Sequence, residues 1–512
     1  MKYEKYLFVI VPFLFVILLP IILLICDSLT DGSGGFTIEH LTTLLINKRQ
    51  LGLFQNSIML GALSSLGASA LGVPAAFLLY CSDIPLRKPL IFLSLFPLII
   101  PPYVQALVWS KTGMPFMFSM TGGVFVFALS FFPFVMLITG SGLQASDINA
   151  HHAACMSRGK TATALKVTLP LVTPHIIAGA IIVFVFAFIN FEVPDILRIP
   201  VFPVEIFCQF SAFYDTGKAT LLSFPLIVTS LVLIWGQMHY MKKKTYISMR
   251  FDAPSDALFS LGRGRYPSCL MLLSIVLGSA LIPVGLLIKG SHGSEGIIKA
   301  LDTGLEQIYY SVSVSTLSAL IMICFSFIVS YYLVRTDGKI NQILHYFSQI
   351  PLGVPPVVLG IGMIRVWNRE WTAPMYDSIW IIVLALVCAY TPFVLNVIYA
   401  KLIQVPKELE EAAALFNKSR FKIVSHIVLP MVFPGLIAAF FIGFSLSLSN
   451  IGTVLLIIPP GETTLPISLY NFLHYGAFDM VCGQSLILIM ICAGLAGILL
   501  IGYRFINRGV KK

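Results

Sequence analysis

An all-α polytopic membrane protein, with about 12 transmembrane helices in two parallel six-helix repeats, is the fold that three observations predict for this 512-residue chain. The composition is 57% hydrophobic and 11% charged, with a mean hydropathy of +0.91, which is too apolar for a globule solvated by water. The apolar residues gather into twelve runs of the length that a bilayer core requires, about 20 residues each. Segments of the first half also recur in the second.

Taken in order, the first six runs are 7–25, 57–80, 90–109, 123–139, 176–191 and 222–241. The second six are 269–288, 311–334, 343–364, 379–400, 433–448 and 486–501. "MKYEKY" puts Lys2 and Lys5 ahead of the first run, as a secretory signal would, but the run is too long and no small-residue cleavage site follows it. Cys26 lacks the small residue that a lipid-attachment site needs before it, so the segment reads as an uncleaved span. With the N-terminus inside, 24 of the 33 Lys and Arg residues fall in inside segments and nine outside. This positive-inside bias accounts for the net charge of +10 without a nucleic-acid partner, and it places both termini in the cytoplasm. The densest cluster, Lys242, Lys243, Lys244, Arg250, Arg263 and Arg265, reads as a topology signal near anionic lipid. Nine cysteines lie scattered with no C-x-x-C spacing and read as apolar packing residues, so neither a disulfide framework nor a metal site is expected.

The repeat is visible as "PLIIPPYVQALVW" (97–109) against "PLGVPPVVLGIGMIRVW" (351–367), an offset of 254 that pairs Pro101 and Pro102 with Pro355 and Pro356. Farther on, "LKVTLPLVTP" (165–174) matches "SHIVLPMVFP" (425–434) at an offset of 260. An even number of spans per unit gives a parallel repeat about an axis along the membrane normal, with a pathway expected between the halves. The divisions are 1–241 for the first repeat, 242–267 for a basic cytoplasmic linker and 268–512 for the second repeat.

One polar interruption, "ELEEAAALFNKSRFKIVSHIVLP" (408–430), lies inside the cell between runs ten and eleven. Its partner, "HHAACMSRGKTATALKVTLP" (151–170), lies between runs four and five. Pro406 suits a helix start, and Glu408, Glu410 and Glu411 fall in the first turns, where the helix dipole favours acids. Asn417 is placed to end this helix. A second short amphipathic helix then carries Phe421, Val424 and Ile427 until Leu429-Pro430 turns the chain back into the membrane. A helix pair lying on lipid would account for one such loop. Two copies on the same side favour a docking surface for a two-fold partner.

Glu411-Ala412-Ala413, with Ile427, Leu429 and Pro430 at the matching spacing, resembles the "EAA" loop of ATP-binding-cassette (ABC) importer permeases. In that family the loop forms a coupling helix seated in a cleft of the ATPase subunit. The resemblance implies coupling loops at about 143–174 and 401–432, docking two copies of a cytosolic ATPase. The family's glycine between the two helices is Asn417 here and Ser157 in the first copy, which also has His151 and His152 where Glu and Ala are usual. That copy keeps Ala153, Leu169 and Pro170, so the two docking sites are expected to be unequal. The resemblance covers the whole chain as a fusion of two six-span units in a bacterial inner membrane. Such fusions are typical of the ferric-iron, thiamine and phosphonate branch, and the outer loops at 199–215 and 455–479 look most like those of ferric-iron permeases. An extracytoplasmic binding protein would then deliver the cargo.

The chain itself is not expected to be an enzyme or to bind a cofactor. "ACMSRGKT" (154–161) ends like a phosphate-binding loop, but Ala154 stands where its first glycine is needed and no strand precedes it. ATP is therefore expected to be used by a separate subunit. An ion-coupled 12-span secondary transporter is the alternative class, and it is disfavoured because the runs hold almost no charge, Glu192 and Asp195 coming closest. A receptor or scaffold is disfavoured by the repeated loop.

Asn190 and Asn450 correspond at the offset of 260, each 20 residues beyond a Leu-Pro pair. Asn190, Glu192, Ser449 and Asn450 are expected to line the outer part of the pathway; bonding across helices is the equally weighted alternative for the two amides. Tyr214, Asp215, His474, Tyr475 and Asp479 offer ligand chemistry suited to ferric iron, but their spacing defines no metal site.

Overall fold

The computed structural model describes residues 4–29, 47–145, 154–157, 159–241, 259–336, 338–416 and 419–510. These residues are helical almost throughout, with no strand among them. Helix α1 (Glu4–Leu29) is followed by α2 (Lys48–Cys81), α3 (Arg87–Leu95), α4 (Pro102–Ser110), α5 (Met120–Ala145), α6 (Leu169–Ile189), α7 (Phe202–Ser211) and α8 (Thr216–Met241). Next come α9 (Arg265–Val276), α10 (Ile282–Gly290), α11 (Ser294–Arg335), α12 (Lys339–Gln349), α13 (Pro356–Trp367) and α14 (Ile379–Leu402). The last four are α15 (Lys407–Leu415), α16 (Leu429–Leu448), α17 (Leu465–Tyr475) and α18 (Phe478–Val510).

Among the described residues, ten helical stretches are long and apolar enough to cross a membrane, and the number reaches twelve if two bent pairs each count as one span. Those pairs correct the expectation of continuous spans at 90–109 and 343–364. The chain bends by 85° between Arg87–Leu98 and Pro102–Ser110, and by 107° between Lys339–Gly353 and Pro356–Trp367. The cause is the repeated Pro-Pro. A residue that precedes proline is pushed out of the helical region, and Pro101 (ψ 142°) and Pro355 (ψ 139°) are extended, while Pro102 and Pro356 open the next helix without needing an N–H partner.

A second correction concerns the Leu-Pro pairs, which do not turn the chain. Leu169 and Leu429 instead continue helices through π-helical turns at Ala164–Thr168 and Val424–Val428, where the Leu N–H reaches the carbonyl of Ala164 or Val424, five residues back. Leu277–Leu281 repeats the device ahead of Ile282-Pro283. A proline inside a helix cannot donate to the carbonyl four residues back and collides with it, and one wider turn relieves both.

The chain forms two compact units, Thr37–Gly290 and Met1–Phe36 together with Ser291–Lys512. These bounds differ from the sequence division at 242–267, because α1 counts with the second half and α9–α10 with the first. Helix α1 packs on α13 and α11, burying Ile10, Ile17, Ile21 and Leu24 and stacking Phe13 on Phe325 with centroids 3.9 Å apart. In the other unit α9 and α10 pack on α3 and α4, where Gln105 Nε2 donates to the Ser279 carbonyl within the π turn (3.2 Å).

Each unit is centred on three mutually packed helices: α2, α5 and α6 in one, α11, α14 and α16 in the other. Apolar contact with lipid tails gives helices no reason to associate, so close packing of small residues must do so. Gly72 of α2 is one such place in its unit's core, where the close neighbour is backbone of another helix. A Cβ there would stand 2.7 Å from the Phe132 carbonyl oxygen and 2.9 Å from Val135 Cβ on α5.

Candidate functional site

The segment containing Glu408 to Pro430 begins where Val405 and Pro406 leave α14. Pro406 is the extended residue before α15, and Glu408 and Glu410 occupy the first turn at the positive end of its dipole. No residue of α15 is buried. Glu411 and Ala412 are exposed and Ala413 is half-buried. The helix ends at Leu415, and Asn417, assigned to that end from the sequence, lies outside the described residues. Ser419 opens the next helix by accepting from the Lys422 N–H (3.5 Å), and the chain then runs through the π turn into α16. Leu429 and Pro430 lie exposed at the start of α16.

Two features of this segment escaped the sequence reading. Leu415, Phe416 and Phe421 project into solvent, with exposures of 87%, 80% and 82%. Three bulky apolar side chains around a bend form a surface suited to cover by a protein; their presence within an otherwise polar interruption was the available signal. The other feature is Glu410. Its Oε1 accepts from Arg335 Nε (2.7 Å) and its Oε2 from Tyr331 Oη (2.7 Å), while Arg335 also donates to the Val405 carbonyl (3.1 Å). The charges at the end of a long apolar run and in the loop were legible, but their pairing depends on tertiary placement.

The corresponding segment of the other unit is built differently. Ala153 lies outside the described residues, and Ser157 is exposed. Ser157 stands at the family's glycine position, and two residues on a left-handed turn falls at Gly159 (φ +77°), whose N–H donates to the Cys155 carbonyl (3.0 Å) and whose carbonyl accepts from the Thr163 N–H (3.1 Å). Leu169 is half-buried and Pro170 exposed at the start of α6. Lys160 Nζ donates to the Ser260 carbonyl (3.1 Å), and the residues around Ser260 bind the end of α2: Phe259 N–H to the Cys81 carbonyl (2.8 Å) and Leu261 N–H to Asp83 Oδ1 (2.7 Å). The Leu261 N–H also holds the Asp83 carboxyl below the usual carboxylate range.

At the opposite ends of α6 and α16, the two asparagines act as caps. Asn190 Oδ1 accepts from the Val193 N–H (2.9 Å), and Asn450 Oδ1 accepts from Thr453 and Val454 (both 3.2 Å), while Asn450 Nδ2 donates to Tyr390 Oη (2.7 Å). Each amide thus turns the chain from a long helix into a short one, Glu192–Ile196 or Val454–Ile457. Glu192 and Asn450 are buried, and Asn190 and Ser449 half-buried. Asn450→Leu is expected to cost about 2 kcal/mol by orphaning two N–H groups, and Asn190→Leu about 1 kcal/mol, ranked by thermal unfolding in detergent. Equal losses would contradict the capping roles.

The residues weighed as iron ligands are engaged elsewhere or stand apart. Asp215 Oδ1 caps α8 through the Lys218 N–H (2.9 Å), Asp479 pairs with Lys299 (3.3 Å), and His474 Nδ1 bonds the Tyr470 carbonyl (2.9 Å). Tyr214 and Tyr475 are exposed, and no three His, Cys, Asp or Glu among the described residues group as metal ligands.

Residues 322–512 match the family described as "Binding-protein-dependent transport system inner membrane component". The chain is 22% identical to the Fe(3+)-transport system permease protein FbpB 2 of Haemophilus influenzae, over 90% of this chain and 92% of that one. It is also 22% identical to the ferric transport system permease protein FbpB of Actinobacillus pleuropneumoniae, over 93% of this chain and 74% of that one. A probable molybdenum ABC transporter permease protein of Haloferax volcanii is 27% identical over 44% of this chain and 86% of its own length. The family match covers the α11–α18 half from within α11 onward, and the whole-length relatives extend the likeness across both repeats. The second half of the chain thus matches an inner-membrane component of binding-protein-dependent transport systems, and the chain as a whole is similar to ABC importer permeases.

Proposed function

We propose that this permease carries ferric iron across the inner membrane, taking it from an extracytoplasmic binding protein and drawing energy from two copies of a separate cytosolic ATPase. The observation that carries the iron assignment is coverage: relatives named for ferric transport match over 90% and 93% of the chain, whereas the molybdenum relative matches over 44%. In this reading both termini are cytoplasmic and the segments around Glu411 and Ser157 face the ATPases. Glu411, Ala412 and Ala413 lead into the second contact, with Leu415, Phe416 and Phe421 as its apolar part. Asn190, Glu192, Ser449 and Asn450 belong to the outer part of the pathway, the asparagines shaping it through the turns they cap.

ATP binding would draw the two ATPases together, and their motion, passed through the cytoplasmic segments, would open the pathway outward to receive cargo. Hydrolysis would return it. The test is uptake of radiolabelled ferric iron by cells lacking this gene and other iron systems, with and without a plasmid copy, with labelled thiamine and a labelled phosphonate in parallel. Iron uptake restored by the plasmid supports the assignment. Plasmid-dependent uptake of thiamine or the phosphonate alone moves the cargo and leaves the permease standing.

A further inference from the structure

We propose that Arg335 and Tyr331, at the end of α11, are positioning residues for coupling, and that they pass the motion of α15 into the transmembrane body through Glu410. This inference rests on the ATPase-driven reading above.

The geometry supports it in three ways. First, α15 has no buried residue, so apolar packing does not fix its place on the permease. Its most enclosed carboxylate, Glu410, is instead held at both oxygens by one neighbouring helix. Arg335 Nε reaches Oε1 at 2.7 Å, a second Arg335 nitrogen lies 2.6 Å from that atom, and Tyr331 Oη reaches Oε2 at 2.7 Å. Second, the same guanidinium donates to the Val405 carbonyl at 3.1 Å, just ahead of α15. Two attachment points on one rigid, planar fork set both the position and the direction of the short helix. Third, the side chains of Arg335 and Glu410 are only 3% and 11% exposed. A desolvated pair of this kind resists separation, because parting the charges leaves each without its partner in a poorly solvating place. Pushing α15 therefore moves the end of α11. That helix has 42 residues and a length of about 63 Å at 1.5 Å per residue, and it packs on both α14 and α16 in the centre of its unit.

The sequence of the other repeat does not repeat these three residues. At the offsets of 254 and 260 the counterparts of Tyr331, Arg335 and Glu410 are Phe77, Cys81 and Ala150, which cannot form an ion pair. There the end of α2 bonds Phe259 and Leu261 instead. The inference is thus specific to the second coupling segment.

The experiment uses the full chain with its ATPase. Glu410→Gln keeps the shape and removes the charge, and the exchange Arg335→Glu with Glu410→Arg restores a pair of reversed sign. Expected for Glu410→Gln are an uptake about tenfold lower, an ATPase that still co-purifies, and ATP hydrolysis that continues but no longer responds to the loaded binding protein. The double exchange is expected to regain a substantial part of uptake over either single charge reversal. A merely structural role would lower yield and hydrolysis together and leave uptake per ATP unchanged. Glu410→Gln with wild-type uptake per ATP, or no rescue by the exchange, overturns the coupling role of the clamp. Wild-type chain that fails to associate with an ATPase overturns the proposed function itself, and the coupling role with it.

Discussion

Replacing Gly72 with valine is expected to destabilise the purified permease by about 3 kcal/mol or more and to abolish uptake. The added Cβ alone would lie 2.7 Å from the Phe132 carbonyl oxygen, 2.9 Å from Val135 Cβ and 3.1 Å from the Met136 nitrogen. Two of these are backbone atoms of α5, which cannot swing aside as a flexible side chain would. Helix α2 would have to move away from α5, opening the core around Ala68, Ala75, Phe132 and Val135. Gly236→Val on α8 is the matched control, since nothing lies within 4 Å of its Cβ position. Melting of both variants in detergent checks the idea, and Gly72→Val melting with Gly236→Val would refute close packing as the source of stability here.

Reversal of charge at Glu411 is expected to lower uptake by about a hundredfold or more while leaving the melting temperature of the isolated permease unchanged. The carboxylate is exposed and makes no ion pair among the described residues, so the permease itself has little to lose. A partner that reads a negative charge beside Leu415 and Phe416 has much to lose, because like charges held in an interface cost several kcal/mol. Glu411→Lys assayed for uptake and for retention of the ATPase during purification separates the two. Full uptake with the ATPase retained would remove Glu411 from the interface.

The difference between Glu410 and Glu411 shows what a single sequence can and cannot convey. Spacing to Leu429 and Pro430 was enough to find the segment, the start of its first helix and the acids in its first turn. Which of two adjacent carboxylates faces inward depends on where Arg335 lies, 75 residues away in the chain, and no local pattern encodes that. The Pro-Pro repeats were legible as equivalents, yet hydropathy averages over a bend, so each bent pair read as one span. The Leu-Pro pairs misled for the opposite reason: proline suggested a corner, and a single π turn absorbed it within a continuous helix. Asn190 and Asn450 were found by symmetry, but their side chains serve backbone N–H groups three or four residues ahead.

The association of α1 with α13 has a consequence for biogenesis. Residues 4–29 leave the ribosome well before the helix they pack on, since Pro356–Trp367 follows more than 300 residues later. At synthesis rates of about 5–20 residues per second, α1 waits roughly 15–60 s for its partner. For most of that interval it must sit in lipid without either of the helices it packs on, α11 and α13, and the absence of any charged residue from Phe8 to Cys26 suits it to do so.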